Sequence, residues 1–224
     1  GILFVGYIVN FVDRSILSLL LEPIKLELSL SDSQLGLLGG LAFAVFYTFL
    51  GIPIAALADR RSRVKILAVS MVIWSAMTAV CGLATNFWML LMARIGVGVG
   101  EAGASPPSHS LISDYFPIDK RATALSIYAL GIPFGTMIGS YVGGWGAAEL
   151  GWRYTFFLVG IPGIFVAMII ALTLREPPRG LSDVKPVLNT AQKAAAEAAP
   201  KPEAPHVKEV LNFLWAKVSF RHLS

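Results

Sequence analysis

Arg94-Ile95-Gly96-Val97-Gly98-Val99-Gly100-Glu101 lies inside an apolar run, residues 87–112, that has no wet face. The seven-residue step from Arg94 to Glu101 carries an α-helix through nearly two turns, so both side chains project from one side. An ionisable group at bilayer depth costs roughly 2.5–3.5 kcal/mol on insertion scales. Two of them on one face point to a polar path or pocket inside a helix bundle.

The surrounding chain supplies such a bundle. Of its 224 residues, 55% are hydrophobic and 14% charged, against about 25% charged in soluble domains. Apolar runs of about 20 residues recur, the length that crosses a bilayer core of about 30 Å. Six spans are expected, at about residues 1–21, 34–58, 66–84, 87–112, 122–147 and 154–174. The first carries Asn10, Asp13 and Arg14 and ends at Glu22-Pro23; Pro53 should kink the second, and Pro106-Pro107 bend or break the fourth. The chain opens at Gly1 already within an apolar run, so the start of the first helix is expected to be missing. No cleavable signal is visible. The net charge of +4 does not indicate nucleic acid, because the cations cluster at span ends and in the tail. Cys81 stands alone, so neither a disulfide nor a thiolate metal site can form within the chain.

Residues 1–176 are therefore read as a six-helix transmembrane bundle. Residues 177–206, rich in Ala, Lys, Glu and Pro, read as a flexible cytoplasmic linker. In 207–224, Val207, Val210, Leu211, Leu214, Trp215 and Val218 recur at helical spacing. That segment is expected to be an amphipathic interfacial helix leading toward a second half. Arg60, Arg61, Arg63 and Lys65 follow the second span, and Lys120 and Arg121 the fourth. The opposite loops carry only Lys25 and Arg153. The positive-inside rule puts the basic loops, the N-terminus and the linker in the cytoplasm, with the chain in the cell membrane. Spans one and four both carry buried charge, as two inverted three-helix repeats would require.

The turn Ala55-Ala56-Leu57-Ala58-Asp59-Arg60-Arg61-Ser62-Arg63 resembles the loop signature of the major facilitator superfamily, Gly-x-Leu-x-Asp-Arg-x-Gly-Arg. Ala55 and Ser62 stand where Gly is usual. The resemblance implies that Asp59, Arg60 and Arg63 gate the cytoplasmic side, the aspartate capping a helix of the other half. Arg94 with Gly98 and Gly100 is similar to the fourth-helix signature Arg-x-x-x-Gly-x-Gly, whose arginine is associated with proton coupling. Asp13-Arg14, Gly100-Glu101-Ala102-Gly103, Arg175-Glu176-Pro177-Pro178-Arg179-Gly180 and Leu211-Asn212-Phe213-Leu214-Trp215 together look like the spinster-like branch. Gly131, Pro133, Gly135 and Gly139 loosely resemble an antiporter Gly-Pro signature, and equally fit close helix packing.

The resemblance implies an all-α membrane protein, half of a twelve-helix major facilitator fold. It implies a monomeric, alternating-access secondary transporter, proton-linked or facilitative, for a lysophospholipid or sphingoid-type substrate. Asp13, Arg14, Arg94 and Glu101 are the expected proton-coupling and substrate-binding residues. An arginine keeps its charge and can favour a neighbouring carboxylate, while a neutral carboxyl is cheaper to bury. An organic-anion/proton symporter of the same superfamily and a non-transporting sensor on the same fold are the competing readings. An enzyme is not expected: no nucleophile–base pair or ligand set lies at bilayer depth. The glycines at 96, 98 and 100 follow no strand and are not a nucleotide loop. No cofactor or metal is implied. Small-molecule or lipid substrate, protons and membrane lipids are the expected partners.

Overall fold

A computed structural model describes residues 1–182, which form one compact unit from Gly1 to Ser182. Among them every regular element is helical: α1 (Ile2–Leu28), α2 (Asp32–Gly36), a π-helical turn (Leu37–Leu41), α3 (Ala42–Ala58), α4 (Arg63–Cys81), α5 (Phe87–Glu101), α6 (Ser105–Tyr115), α7 (Ile118–Ala129), α8 (Gly131–Glu149) and α9 (Trp152–Thr173). Joined across their breaks, they make six stretches long and apolar enough to cross a membrane.

The breaks follow from side-chain chemistry. Pro106 and Pro107 lie in the first turn of α6. A proline cannot donate to residue i−4 and its ring clashes there, so α5 ends at Glu101 and residues 102–104 form a turn. Pro133 acts likewise on Ala129 and separates α7 from α8. Span two adds an irregular turn not expected from the sequence, at Leu37–Leu41 around Gly39 and Gly40, while α3 runs on as one helix through Pro53. Span one departs too. Glu22-Pro23 does not end it, and α1 continues to Leu28, where Ser29 adopts φ 53°. Tertiary contacts hold that last stretch despite the proline: Ile24 is buried, and Glu27 is bonded to Trp152 and Arg153. Polar residues mark other helix starts. Ser31 and Gln34 form a reciprocal capping box at α2, Ser62 accepts from the Lys65 amide, and Asn86 accepts from the Met89 amide.

The packing has an internal symmetry. Span one (α1) packs on span five (α8), and span two (α3) on span four (α5). Span three (α4) packs on span four, and span one on span six (α9); spans three and six pack on each other. Exchanging one with four, two with five and three with six leaves this pattern unchanged. Spans one and four run in opposite directions, so the bundle is two inverted three-helix repeats. Backbones meet closely where glycine allows it. A Cβ on Gly135 would sit 2.6 Å from the Ile8 carbonyl oxygen, and one on Gly100 2.6 Å from the Trp74 amide nitrogen.

Two buried clusters fill the bundle, one around Ile16, Leu20, Leu90 and Phe156, the other around Met71, Trp74, Val97 and Leu111. Many other large apolar side chains, among them Phe49, Tyr141 and Leu172, point outward, as they do where the solvent is lipid. Residues 177–182, assigned from sequence to the flexible linker, are instead tied to the bundle. Arg179 Nη2 donates to the Ala58 carbonyl at 2.6 Å, and the Gly180 amide to Asp114 at 3.0 Å. The remainder of that linker and the expected amphipathic helix at 207–224 lie outside the described residues.

Candidate functional site

Helices α1 and α5, the first of each repeat, bring four charged side chains together. Asp13, Arg94 and Glu101 are 0%, 3% and 1% exposed, and Asn10 is buried beside them. Arg14 Nε donates to Glu101 Oε2 at 2.5 Å, and the Arg14 side chain keeps 31% of its surface open. Sequence spacing placed Arg94 and Glu101 on one side of their helix; the hydrogen-bonded partner of Glu101, however, is Arg14 from α1. Asp13 sits among Glu101, Arg94, Trp74 and Thr78, and Asn10 neighbours Glu101.

Aromatic rings complete the site. The Arg14 guanidinium carbon lies 5.0 Å from the centres of the Phe43 and Tyr47 rings and 5.3 Å from that of Phe11. The Arg94 guanidinium carbon lies 5.6 Å from the centre of Phe43, so α3 carries one ring that serves both cations. Several buried polar atoms have no hydrogen-bond partner among the described residues: both Asp13 oxygens, Glu101 Oε1, Arg94 Nε and Nη1, Asn10 Nδ2, Trp74 Nε1 and Thr78 Oγ1. Two acids and two guanidiniums cancel when all are charged. Protonating either acid leaves net positive charge among these groups, and that changes what the site attracts.

Sequence reading missed the contribution of α4. Trp74 and Thr78 lie four residues apart, one helical turn, and Ser70 and Ser75 are buried on the same helix. A polar stripe within an apolar span was the available signal. His109 is exposed and meets the Tyr128 ring edge-on, while Tyr128 stacks on Tyr7 at 4.2 Å.

A second cluster lies at the end of the bundle that carries the basic loops. Arg63 is 1% exposed. Its Nε donates to Glu176 at 2.7 Å, Nη1 to Ser110 at 2.8 Å and to Asp114, and Nη2 to the Pro177 carbonyl at 2.8 Å. Glu176 also accepts from the Val64 amide at 2.9 Å and from Ser62 at 2.8 Å, at the N-terminus of α4. Partial burial pushes the Glu176 carboxyl up. The Val64 amide, Arg63 and Ser62 outweigh that and hold it below the ordinary carboxylate value. The three residues expected to act together as a gate are therefore separated. Arg63 is buried among these partners, whereas Asp59 and Arg60 are exposed. Asp59 lies 4.0 Å from Arg179, with 68% of its side chain open. Asp114, Glu176 and Arg179 are the partners that spacing alone could not assign.

Gly131, Gly135 and Gly139 are buried against Tyr7, Ile8 and Val12 of α1, while Pro133 faces away and is exposed. At the opposite end, Glu27 accepts from Trp152 Nε1 at 2.6 Å and from Arg153 Nη2 at 2.8 Å. Arg153 Nη1 reaches the Gly82 carbonyl at 3.3 Å.

Comparison with known proteins places this architecture. The profile of the Major Facilitator Superfamily matches residues 3–221. The chain is 33% identical over 174 residues to an MFS-type efflux pump of Mycolicibacterium smegmatis, covering 78% of this chain and 41% of that protein. It is 32% identical over 203 residues to protein spinster homolog 1 of Xenopus laevis, covering 88% of this chain and 38% of that protein. A solved bacterial homolog of the human lysosomal transporter spinster, inward-facing and occupied, superposes with a TM-score of 0.76 at 43% identity. That match covers 81% of this chain and 45% of the other. The chain thus spans less than half the length of these relatives.

Proposed function

The chain belongs to the major facilitator superfamily, in its spinster-like branch, and on that premise we propose that its six helices serve as one half of an alternating-access secondary transporter. It is an integral multi-pass membrane protein. The observation that carries the proposal is the burial of Asp13, Arg94 and Glu101 with the Arg14–Glu101 pair, on the two helices that are equivalent in the repeats. Buried charge of this kind is too costly to persist at bilayer depth without a use.

Glu101 and Asp13 take up and release the coupling proton. With both acids ionised, Arg14 and Arg94 are neutralised; with one protonated, a guanidinium is released. Arg14, the partly open member, then receives the anionic or zwitterionic head group of an amphipathic lipid-like substrate, among Phe11, Phe43 and Tyr47. The basic loops face the cytoplasm. Asp59 and Arg60, exposed at the turn after span two, meet the other half there and alternate with its opening. The protein acts as a carrier rather than an enzyme, and as a monomer.

Proteoliposomes of the full-length protein test this, with radiolabelled lysophosphatidylcholine or a small dicarboxylate offered under an imposed pH gradient. Gradient-driven lysolipid uptake is expected, and Glu101→Gln should abolish it while leaving counterflow exchange and folding intact. Undiminished gradient-driven uptake by Glu101→Gln would remove the coupling role. Uptake of the dicarboxylate alone would favour the organic-anion symporter, and no flux of either probe would favour a sensor.

A further inference from the structure

Two polar side chains of α4 enter the charged centre. Trp74 and Thr78 are 1% and 0% exposed and lie one helical turn apart, so they face the same way. Both stand beside Asp13, itself 0% exposed. Trp74 Nε1, Thr78 Oγ1 and both Asp13 oxygens have no hydrogen-bond partner elsewhere among the described residues. Buried polar groups in that condition are rare and call for an explanation. Ser15, Thr155 and Thr173 bond back to the carbonyl four residues before them, whereas Thr78 does not and keeps its hydroxyl for another group. Glycine on α5 lets α4 come close enough to deliver the indole: a Cβ on Gly100 would lie 2.8 Å from the Trp74 Cβ.

We propose that Trp74 and Thr78 are positioning residues for the Asp13 carboxylate, each donating to one of its oxygens when it is ionised. An indole N–H only donates, so Trp74 has nothing to offer the proton of the acid, whereas a hydroxyl can donate to the carboxylate or accept from the acid. A hydrogen bond to an ionised acceptor is the stronger one. Trp74 therefore favours the ionised form, and Thr78 does so more weakly. The charged groups facing Asp13 are Glu101 and Arg94 of α5, and Cys81 is a titratable neighbour three residues beyond Thr78 on α4. Arg14, next along α1, bonds to Glu101. Of the other helices packed on α1, α8 brings Tyr141 and Glu149 and α9 brings Tyr154, all exposed, while Arg153 of α9 pairs with Glu27. Tyr128 of α7 stacks on Tyr7, and the charged residues of α4 and α7 lie in the first turn of each helix. Trp74 and Thr78 add two uncharged donors to this set, and with them α4 sets the pH at which the acid gives up its proton. The inference rests on the reading that Asp13 carries the coupling proton.

The test is an infrared pH titration of the full-length protein in lipid, following the protonated-carboxyl band that Asp13→Asn removes. Trp74→Phe keeps an aromatic ring, and Thr78→Val keeps the branched shape. The midpoint of the band should move to higher pH by about one unit in Trp74→Phe, a tenfold tighter hold on the proton. It should move the same way by less in Thr78→Val, and Thr78→Ser should restore the wild-type value. Met71→Leu disturbs the cluster that holds Trp74 without removing a donor, and should leave the midpoint in place. A wild-type midpoint in Trp74→Phe would overturn the proposal. Should that variant fail to fold, a wild-type midpoint in the isosteric Thr78→Val would do so. A shift in Met71→Leu as large as that in Trp74→Phe would assign the effect to packing and overturn it as well. The absence of any band lost in Asp13→Asn would instead remove the proton-carrying role of Asp13 on which the inference rests.

Discussion

Replacing Arg63 with Gln asks whether the buried cation is a gate or an anchor. Among the described residues Arg63 binds Asp114, Ser110, Glu176 and the Pro177 carbonyl. Removing one partner of a buried ion pair costs about 3–5 kcal/mol, chiefly by stranding the opposite charge. The stranded groups here have partial relief. The Asp114 side chain is 11% exposed and still accepts from the Gly180 amide; that of Glu176 is 33% exposed and still accepts from the Val64 amide. The lower end, about 3 kcal/mol, is therefore expected. For a unit of this size that is a fall in Tm of about 6–12 °C. Arg63→Lys should recover only a small part, because a point charge cannot reach both carboxylates in fork geometry. The assay is thermal unfolding in detergent, with a double-mutant cycle of Arg63→Gln and Asp114→Asn. A coupling of at least about 1 kcal/mol is expected between them. Lys25→Gln serves as the comparison, since its pair with Asp32 is 33% and 87% exposed and exposed pairs of this kind add little to stability. A Tm for Arg63→Gln within a degree or so of wild type, or coupling below about 0.5 kcal/mol, would refute the anchor.

Other outcomes follow from the same contacts. Glu176 titrates below the ordinary carboxylate value in the folded protein. Its stabilisation is complete above the unfolded value of about 4.3 and is lost as pH falls through the depressed one. Melting curves of wild type and Glu176→Gln should thus differ at neutral pH and converge in acid; a constant difference would contradict this. Gly135→Ala should destabilise by about 1–3 kcal/mol, because its Cβ meets the α1 backbone. Gly144→Ala, with nothing within 4 Å, should be neutral or stabilising by up to about 1 kcal/mol. Equal effects at the two positions would show that the α1–α8 approach is looser than described. Asp59→Asn should leave Tm unchanged, given its open side chain, yet slow lysolipid flux in proteoliposomes; unchanged flux would remove Asp59 from the gate.

The sequence by itself determined the architecture, because the cost of burying backbone and charge in lipid leaves few alternatives. Apolar length gave six spans and Pro106-Pro107 marked the break before α6, whereas the break before α8 emerged only in the structure. The intramembrane charges singled out Asp13, Arg14, Arg94 and Glu101 before any contact was known. Helical spacing is a property of one helix, however, and it cannot say which cation on another helix an acid will meet. Only the tertiary structure decided that Glu101 bonds to Arg14 of α1, and that α4 contributes Trp74 and Thr78. The same limit applies at the basic end. Arg60, Arg61, Arg63 and Lys65 are alike as positive-inside charges, and the loop signature groups Arg63 with Asp59 and Arg60. Burial separates them, because Asp114 lies 51 residues and Glu176 113 residues from Arg63 along the chain. Proline at 23 likewise looked like a helix end, and contacts made 125 residues away, between Glu27 and Trp152, keep α1 helical beyond it. Local chemistry set where helices could form and which residues were costly to bury; long-range packing chose their partners.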